Sequence, residues 1–140
     1  MREHDSVRLD LPASHKYLNV LGACIAEMLT RVEGLAERDI VSYNIQLAVH
    51  EACTNIVEHA YAGRNDGRIK IALMLDEQPR RLVVDIHDTG GSFDITQARE
   101  PNLDDAQIHG YGLFLIRNLM DEMSYTPGPS NNRWHLVKHL

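Results

Sequence analysis

Residues 47–61 read LAVHEACTNIVEHAY, and the rest of the chain is organised around them. Together with Ile45, the side chains of Ala48, Val49, Ala52, Ile56 and Ala60 recur at three- and four-residue spacing, the signature of an amphipathic helix laid on a core. Glu51, Asn55 and His59 follow one another at four-residue intervals on a neighbouring face, where side chains one turn apart meet. One turn therefore offers a carboxylate beside a carboxamide. These oxygen donors suit a hard cation, and the carboxylate can also accept a proton. The same spacing occurs on plain solvated helix faces, so the pair takes its meaning from what surrounds it.

Upstream, Val7, Leu9 and Leu11 alternate with Ser6, Arg8 and Asp10, which predicts a strand ending at Pro12. Ser14 is the expected N-cap of a helix over residues 15–32, with Leu18, Leu21, Ile25, Met28, Leu29 and Val32 on its buried face and Gly34 as its stop. The central helix is expected to start near Glu37 and run to about Ala62, where the GRNDG turn at 63–67 ends it.

Downstream, Ile69, Ile71, Leu73 and Leu75 form one alternating strand, and Leu82, Val84 and Ile86 form a second after the EQPR turn at 77–80. Continuing the second alternation puts Asp88 on the same face as Leu82, Val84 and Ile86. A carboxylate thus stands where the pattern asks for an apolar residue, followed by Thr89, Gly90 and Gly91. Burying it without partners would cost several kcal/mol, roughly, so the pattern predicts something hydrogen-bonded to it, whether a ligand or its own turn.

Residues 93–109, FDITQAREPNLDDAQIH, lose periodicity and read as a polar lid. Gly110, Tyr111 and Gly112 then open a helix whose apolar side is Leu113, Leu115, Ile116, Leu119, Met120 and Met123. Unpaired N–H groups at a helix start favour a phosphate, and glycines let it approach. Ser124 to Pro129 reads as a short strand and turn, and Trp134, Leu136 and Leu140 as a closing strand. Strands and helices do not alternate regularly. One layer of helices on one face of a mixed, mostly antiparallel sheet is expected, an α/β (α+β) two-layer sandwich.

Composition bounds the function. A chain of 140 residues fits a single domain over 1–140, and a net charge of −6 argues against direct nucleic-acid binding or an anionic membrane surface. No apolar run approaches the roughly 18 to 20 residues that span a bilayer, and MREHDSVRLD carries no apolar signal core. A soluble, cytoplasmic protein is expected. Cys24 and Cys53 fall within helical apolar patterns and are expected to be reduced core residues. His50-Glu51 begins a zinc-protease helix pattern, but Thr54 stands where its second histidine belongs.

The motifs EACTN (51–55), HAY (59–61), DTGGSFD (88–94), GYGLFLI (110–116) and LMDE (119–122) together resemble the anti-sigma-factor serine/threonine kinases. These belong to the wider histidine-kinase-like ATPase superfamily. The resemblance runs from about Val7 to the C-terminus and implies a Bergerat fold, with ATP held between helices under a lid over residues 94–109. Carried over, it makes Glu51 the general base, Asn55 the Mg²⁺ ligand, and Asp88 the acceptor for the adenine amino group. It assigns Gly90 to close approach of adenine, and Gly110, Tyr111, Gly112 and Leu113 to the phosphate end of the nucleotide. His59 is a pocket-wall candidate.

The resemblance further implies a sigma factor and a STAS-type anti-anti-sigma protein as partners, a serine or threonine of the latter as substrate, and assembly as a homodimer. A rival within the same resemblance is a partner-switching module that sequesters its partner without catalysis. A two-component histidine kinase would need a further phospho-accepting helix, and a gyrase-type ATPase a transducer domain, for which 140 residues leave no room. Two departures stand out. Gln107, Ile108 and His109 occupy the place where similar kinases carry a basic residue, and residues 130–134 read SNNRW in place of the usual Gly-Thr. The missing positive charge is assigned to Arg133 or His109.

Overall fold

Alternating apolar residues in five segments pair into one sheet, and three helices cover one of its faces. The computed structural model describes residues 5–62, 64–92, 111–129 and 131–140. The elements in order are β1 (Asp5–Pro12), α1 (Leu18–Leu29), α2 (Arg38–Asn55), β2 (Arg68–Glu77), β3 (Arg80–Asp88), α3 (Tyr111–Leu119), β4 (Glu122–Thr126) and β5 (Asn132–His139). The sheet order is β1-β2-β3-β5-β4. Every pairing among these strands is antiparallel, so the expected mixed sheet is antiparallel throughout the described residues. The expected lid and Gly110 lie outside the described residues.

Register decides which side chains meet the helices. Leu11 pairs with Ile69, Ile71 with Ile86, and Val84 with Leu136, and all are buried on one face. Onto them pack Leu21, Ile25 and Leu29 of α1, Ile45, Val49 and Ala52 of α2, and Leu113 and Ile116 of α3. Each of the larger side chains contributes about 1.5–3 kcal/mol on leaving water. Trp134 is fully buried in the same layer and meets Tyr125 of β4 with ring centroids 4.8 Å apart and planes tilted by 54°.

The helices depart from expectation at their ends. Residues His15–Tyr17 form a 3₁₀ turn, so α1 starts at Leu18. The Ser14 side chain caps nothing; instead its carbonyl accepts the Tyr17 N–H at 3.1 Å. The guanidinium of Arg38, at the start of α2, donates to the carbonyls of Leu29 and Val32. The end of α1 is thereby tied to the beginning of α2.

The central helix keeps its α form only to Asn55, then widens into a π-helical turn over Ile56–Ala60. Such turns concentrate at functional sites. At its end the Tyr61 hydroxyl donates to the Arg68 carbonyl at 2.8 Å and accepts the Thr89 N–H at 2.8 Å, which pins the wider turn to the sheet. α3 stops at Leu119, and Met123, expected on that helix, lies in β4. Asp121 explains the early exit: its N–H donates to the Val137 carbonyl and its carboxylate accepts the His139 N–H at 2.7 Å. The chain is captured by β5 three residues before the expected strand.

Both cysteines are free thiols. Burial pushes the Cys53 thiol up to about 12 and raises Cys24 as well, as core residues require. No helix among the described residues is long and apolar enough to cross a membrane.

Candidate functional site

Two ends of a cleft are built from different elements. The first is where α2 meets the start of α3. Glu51 and Asn55 are partly exposed on α2, and a Cβ placed on Gly112 would lie 2.9 Å from Glu51 Oε2 and 3.7 Å from Asn55 Nδ2. The first turn of α3 therefore runs directly past both side chains, and any larger residue at 112 would push the Glu51 carboxylate aside. No hydrogen bond or ion pair holds the Glu51 or Asn55 side chain among the described residues. Between them in sequence on α2, the Thr54 hydroxyl oxygen is buried and finds no hydrogen-bond partner among the described residues. Buried or half-buried polar groups are normally satisfied. This cluster of oxygen-bearing side chains beside a helix N-terminus fits a hard cation and its anionic ligand.

The second end is the edge of β3. Asp88 is only 3% exposed and lies on the helix-facing side of the sheet, where the alternation put it. Its Oδ1 accepts the Gly90 N–H at 2.9 Å and the Asn132 Nδ2 at 3.0 Å. Burial pushes the carboxyl above its ordinary range, opposed by the Asn132 and Gly90 donors and by the charge of neighbouring His87.

Gly90 has a steric reason of its own. A Cβ there would come within 2.4 Å of the Ala60 carbonyl oxygen, and the next N–H, of Gly91, donates to that same oxygen at 2.8 Å. The loop after Asp88 is thus stitched to the π-helical end of the central helix. Asn55 lies five residues before Ala60 and Glu51 nine, roughly 7 and 13 Å along a helix axis. A ligand with a base at one end and phosphates at the other matches that arrangement.

Of the residues singled out from sequence, Glu51, Asn55 and Gly112 come together, and Asp88 and Gly90 form the other end. Leu113 is buried in the core behind the first end. Tyr111 begins α3, while Gly110 and His109 lie outside the described residues. His59 is exposed on the last turn of the central helix.

Arg133 is a correction. It alternates with the buried Asn132 and Trp134 and so projects from the opposite face of the sheet, where it binds Asp85 at 2.7 Å beside His135. It cannot supply charge to the cleft.

The residue that sequence reasoning missed is Asn132. It is completely buried and pairs with Asp88 across the β3–β5 ladder. The alternation that placed Asp88 inward would have found it, read backwards from Leu136 and Trp134. Tyr61 was likewise visible only as part of a motif, whereas its hydroxyl anchors Thr89, next to Asp88.

The model of the histidine kinase-like ATPase domain matches residues 11–138. The serine-protein kinase RsbW of Bacillus pumilus is 32% identical over 129 residues, covering 85% of this chain and 76% of that protein. RsbW of Listeria monocytogenes serotype 4a is 36% identical over 133 residues, covering 86% and 78%.

Among solved structures, a Mycobacterium tuberculosis protein with RsbU and RsbW domains superposes with a TM-score of 0.70 at 20% identity, over 96% of this chain. This chain spans only 32% of that one. The histidine kinase domain of a blue-light activated kinase from Erythrobacter litoralis superposes with a TM-score of 0.58 at 20% identity, over 92% of this chain and 61% of that one. Both are likenesses of fold.

Proposed function

Because the chain belongs to the histidine kinase-like ATPase domain family, among the serine-protein kinases named RsbW, we propose that it is a single ATPase domain that phosphorylates a protein serine or threonine. The observation that carries this reading is the Glu51 carboxylate, without a partner among the described residues where the glycine-containing first turn of α3 passes it. A proton acceptor beside a phosphate-binding helix start is what transfer to a hydroxyl requires.

In the proposed reaction Asp88 accepts a hydrogen bond from the adenine amino group of ATP. Tyr111 and Gly112, with Leu113 behind them, would line the phosphate end, to which the resemblance also assigns Gly110. Asn55 would hold Mg²⁺. The ion supplies charge neutralisation on the phosphate oxygens. Glu51 takes the proton from the attacking seryl or threonyl hydroxyl. The new bond forms between that oxygen and the γ-phosphorus, the bond to the β–γ bridging oxygen breaks, and ADP leaves with that electron pair.

The same reading makes the substrate a STAS-type anti-anti-sigma protein and the second partner a sigma factor, with the chain acting as a cytoplasmic homodimer. A net charge of −6 agrees with protein rather than nucleic-acid partners. The competing reading is a module that sequesters its partner with ATP as a structural ligand, or with none.

Labelled phosphate decides between them. Incubation with Mg-ATP and a STAS-type partner is expected to label a serine or threonine of the partner, and Glu51→Ala is expected to abolish labelling while nucleotide still binds. Nucleotide binding with no label on any partner tried supports the module.

A further inference from the structure

Asn132 has no bond left to offer a ligand, and that is what gives it a role. Its Nδ2 donates to Asp88 Oδ1 at 3.0 Å and to the Gly90 carbonyl at 2.9 Å. Its Oδ1 accepts from the Ser92 hydroxyl at 2.6 Å and, more weakly, from the Gly128 N–H at 3.3 Å. A carboxamide has two N–H donors and two acceptor lone pairs, and here all are used inside the protein. The orientation of the amide follows, since only its nitrogen can donate to a carboxylate and a carbonyl. Asn132 thereby joins the end of β3, the loop after it and the β4–β5 turn.

The consequence falls on Asp88. Both of its donors, the Gly90 N–H and Asn132 Nδ2, converge on Oδ1, and no described residue donates to Oδ2. The carboxylate is therefore held from one side, with Oδ2 as the acceptor left over. Gly90 is two residues from Asp88 and turns with it; Asn132 comes from a different strand. Among the described residues, Asn132 alone ties the carboxylate to a neighbouring strand.

Building on the reading of this site as an ATP site, we propose that Asn132 is the positioning residue that sets base specificity, by holding Asp88 as a pure acceptor aimed at the 6-position of the purine. An amino group there donates to Oδ2. A keto oxygen there would set acceptor against acceptor in a site sheltered from water, where such a mismatch is costly. Without Asn132 the carboxylate can rotate, or carry a proton and donate to a keto group.

The test compares Mg-ATP with Mg-inosine triphosphate, which differs in having a keto oxygen in place of the 6-amino group. Calorimetric titration of the full chain gives the ratio of the two affinities. The unaltered protein is expected to favour ATP. Asn132→Asp preserves shape but removes both donors, and is expected to lower the ATP-to-inosine ratio at least tenfold, mainly through weaker ATP binding. Asn132→Leu, which adds no charge next to Asp88, is expected to shift the ratio the same way, and serves if the aspartate variant does not fold.

A residue with a merely structural role would weaken both nucleotides in proportion. An unchanged ratio in the variants, with the preference intact in the unaltered protein, overturns the inference alone. Binding of neither nucleotide by the unaltered protein overturns it together with the ATP reading beneath it.

Discussion

At the Asp88 end of the cleft the polar groups are already bound to one another: Asp88 to Gly90 and Asn132, Asn132 to Ser92 and Gly128, Tyr61 to Thr89 and Arg68. At the Glu51 end the side chains of Glu51, Asn55 and Thr54 bind no described residue. The first end is pre-organised, so recognition there costs little ordering. The second is left unsatisfied among the described residues, and on the proposed reading its groups gain partners from the ligand. On the proposed reading, specificity and chemistry occupy separate ends of one helix, joined by the π-helical turn and the Ala60 carbonyl.

Substitutions at the two ends should therefore fail differently. Glu51→Gln keeps the shape of the side chain and removes the proton acceptor. Phosphoryl transfer is expected to fall by about 10²–10⁴-fold, with ATP affinity changed only a few-fold, as single-turnover kinetics and titration would read. Equal losses in both would mean that Glu51 serves binding.

Gly90→Ala strikes the joint between the ends. Its new Cβ meets backbone, the Ala60 carbonyl oxygen at 2.4 Å, which cannot step aside as a side chain can. A loss of about 1–3 kcal/mol of folding stability is expected in urea denaturation. Gly112→Ala comes tightly against the far end of Glu51 alone, Oε2 at 2.9 Å, with Asn55 Nδ2 at an ordinary 3.7 Å. Stability should hold to within about 0.5 kcal/mol, while transfer drops by the amount that moving the carboxylate costs. A stability loss as large as that of Gly90→Ala would mean that Gly112 serves packing.

Acidification should separate the ends again, with a smaller effect. Burial holds the Asp88 carboxyl above its ordinary value of 3.8, so Asp88 becomes protonated at a higher pH than an exposed aspartate. ATP affinity, which needs the ionised acceptor, is expected to decline as pH falls through that raised value. The nucleotide-free fold responds with the opposite sign. A raised folded pKa contributes stability that is present below the unfolded value and lost as pH rises through the folded one. Ionised Asp88 is a cost to the nucleotide-free protein near neutral pH.

Legibility in the sequence followed the strength of the period. Strands with clean alternation were readable to within a residue or two, and Asp88 was found because it broke an apolar alternation. Asn132 obeys the same rule, but it opens its strand, so it is reached only by reading the alternation backwards from Leu136 and Trp134. Arg133 drew attention by its charge, although one step of alternation sends it to the opposite face. The π-helical turn left no trace in the pattern, since Ile56 and Ala60 fit an α-helix equally well. It is set by Tyr61 reaching Thr89, a contact 28 residues apart in sequence. Likewise α3 ends where Asp121 meets β5, a tertiary capture that local propensity does not carry.

The central claim is that a nucleotide spans these two ends with its base on Asp88. Calorimetric titration of Mg-ATP into the unaltered protein and into Asp88→Asn tests it most directly. The substituted amide can still accept from Gly90 and Asn132, so the empty variant should be at least as stable as the parent near neutral pH. Its ATP affinity is expected to be roughly tenfold to a hundredfold weaker, the cost of one mismatched buried hydrogen bond. Equal affinity in the two proteins would place the base elsewhere and contradict the account.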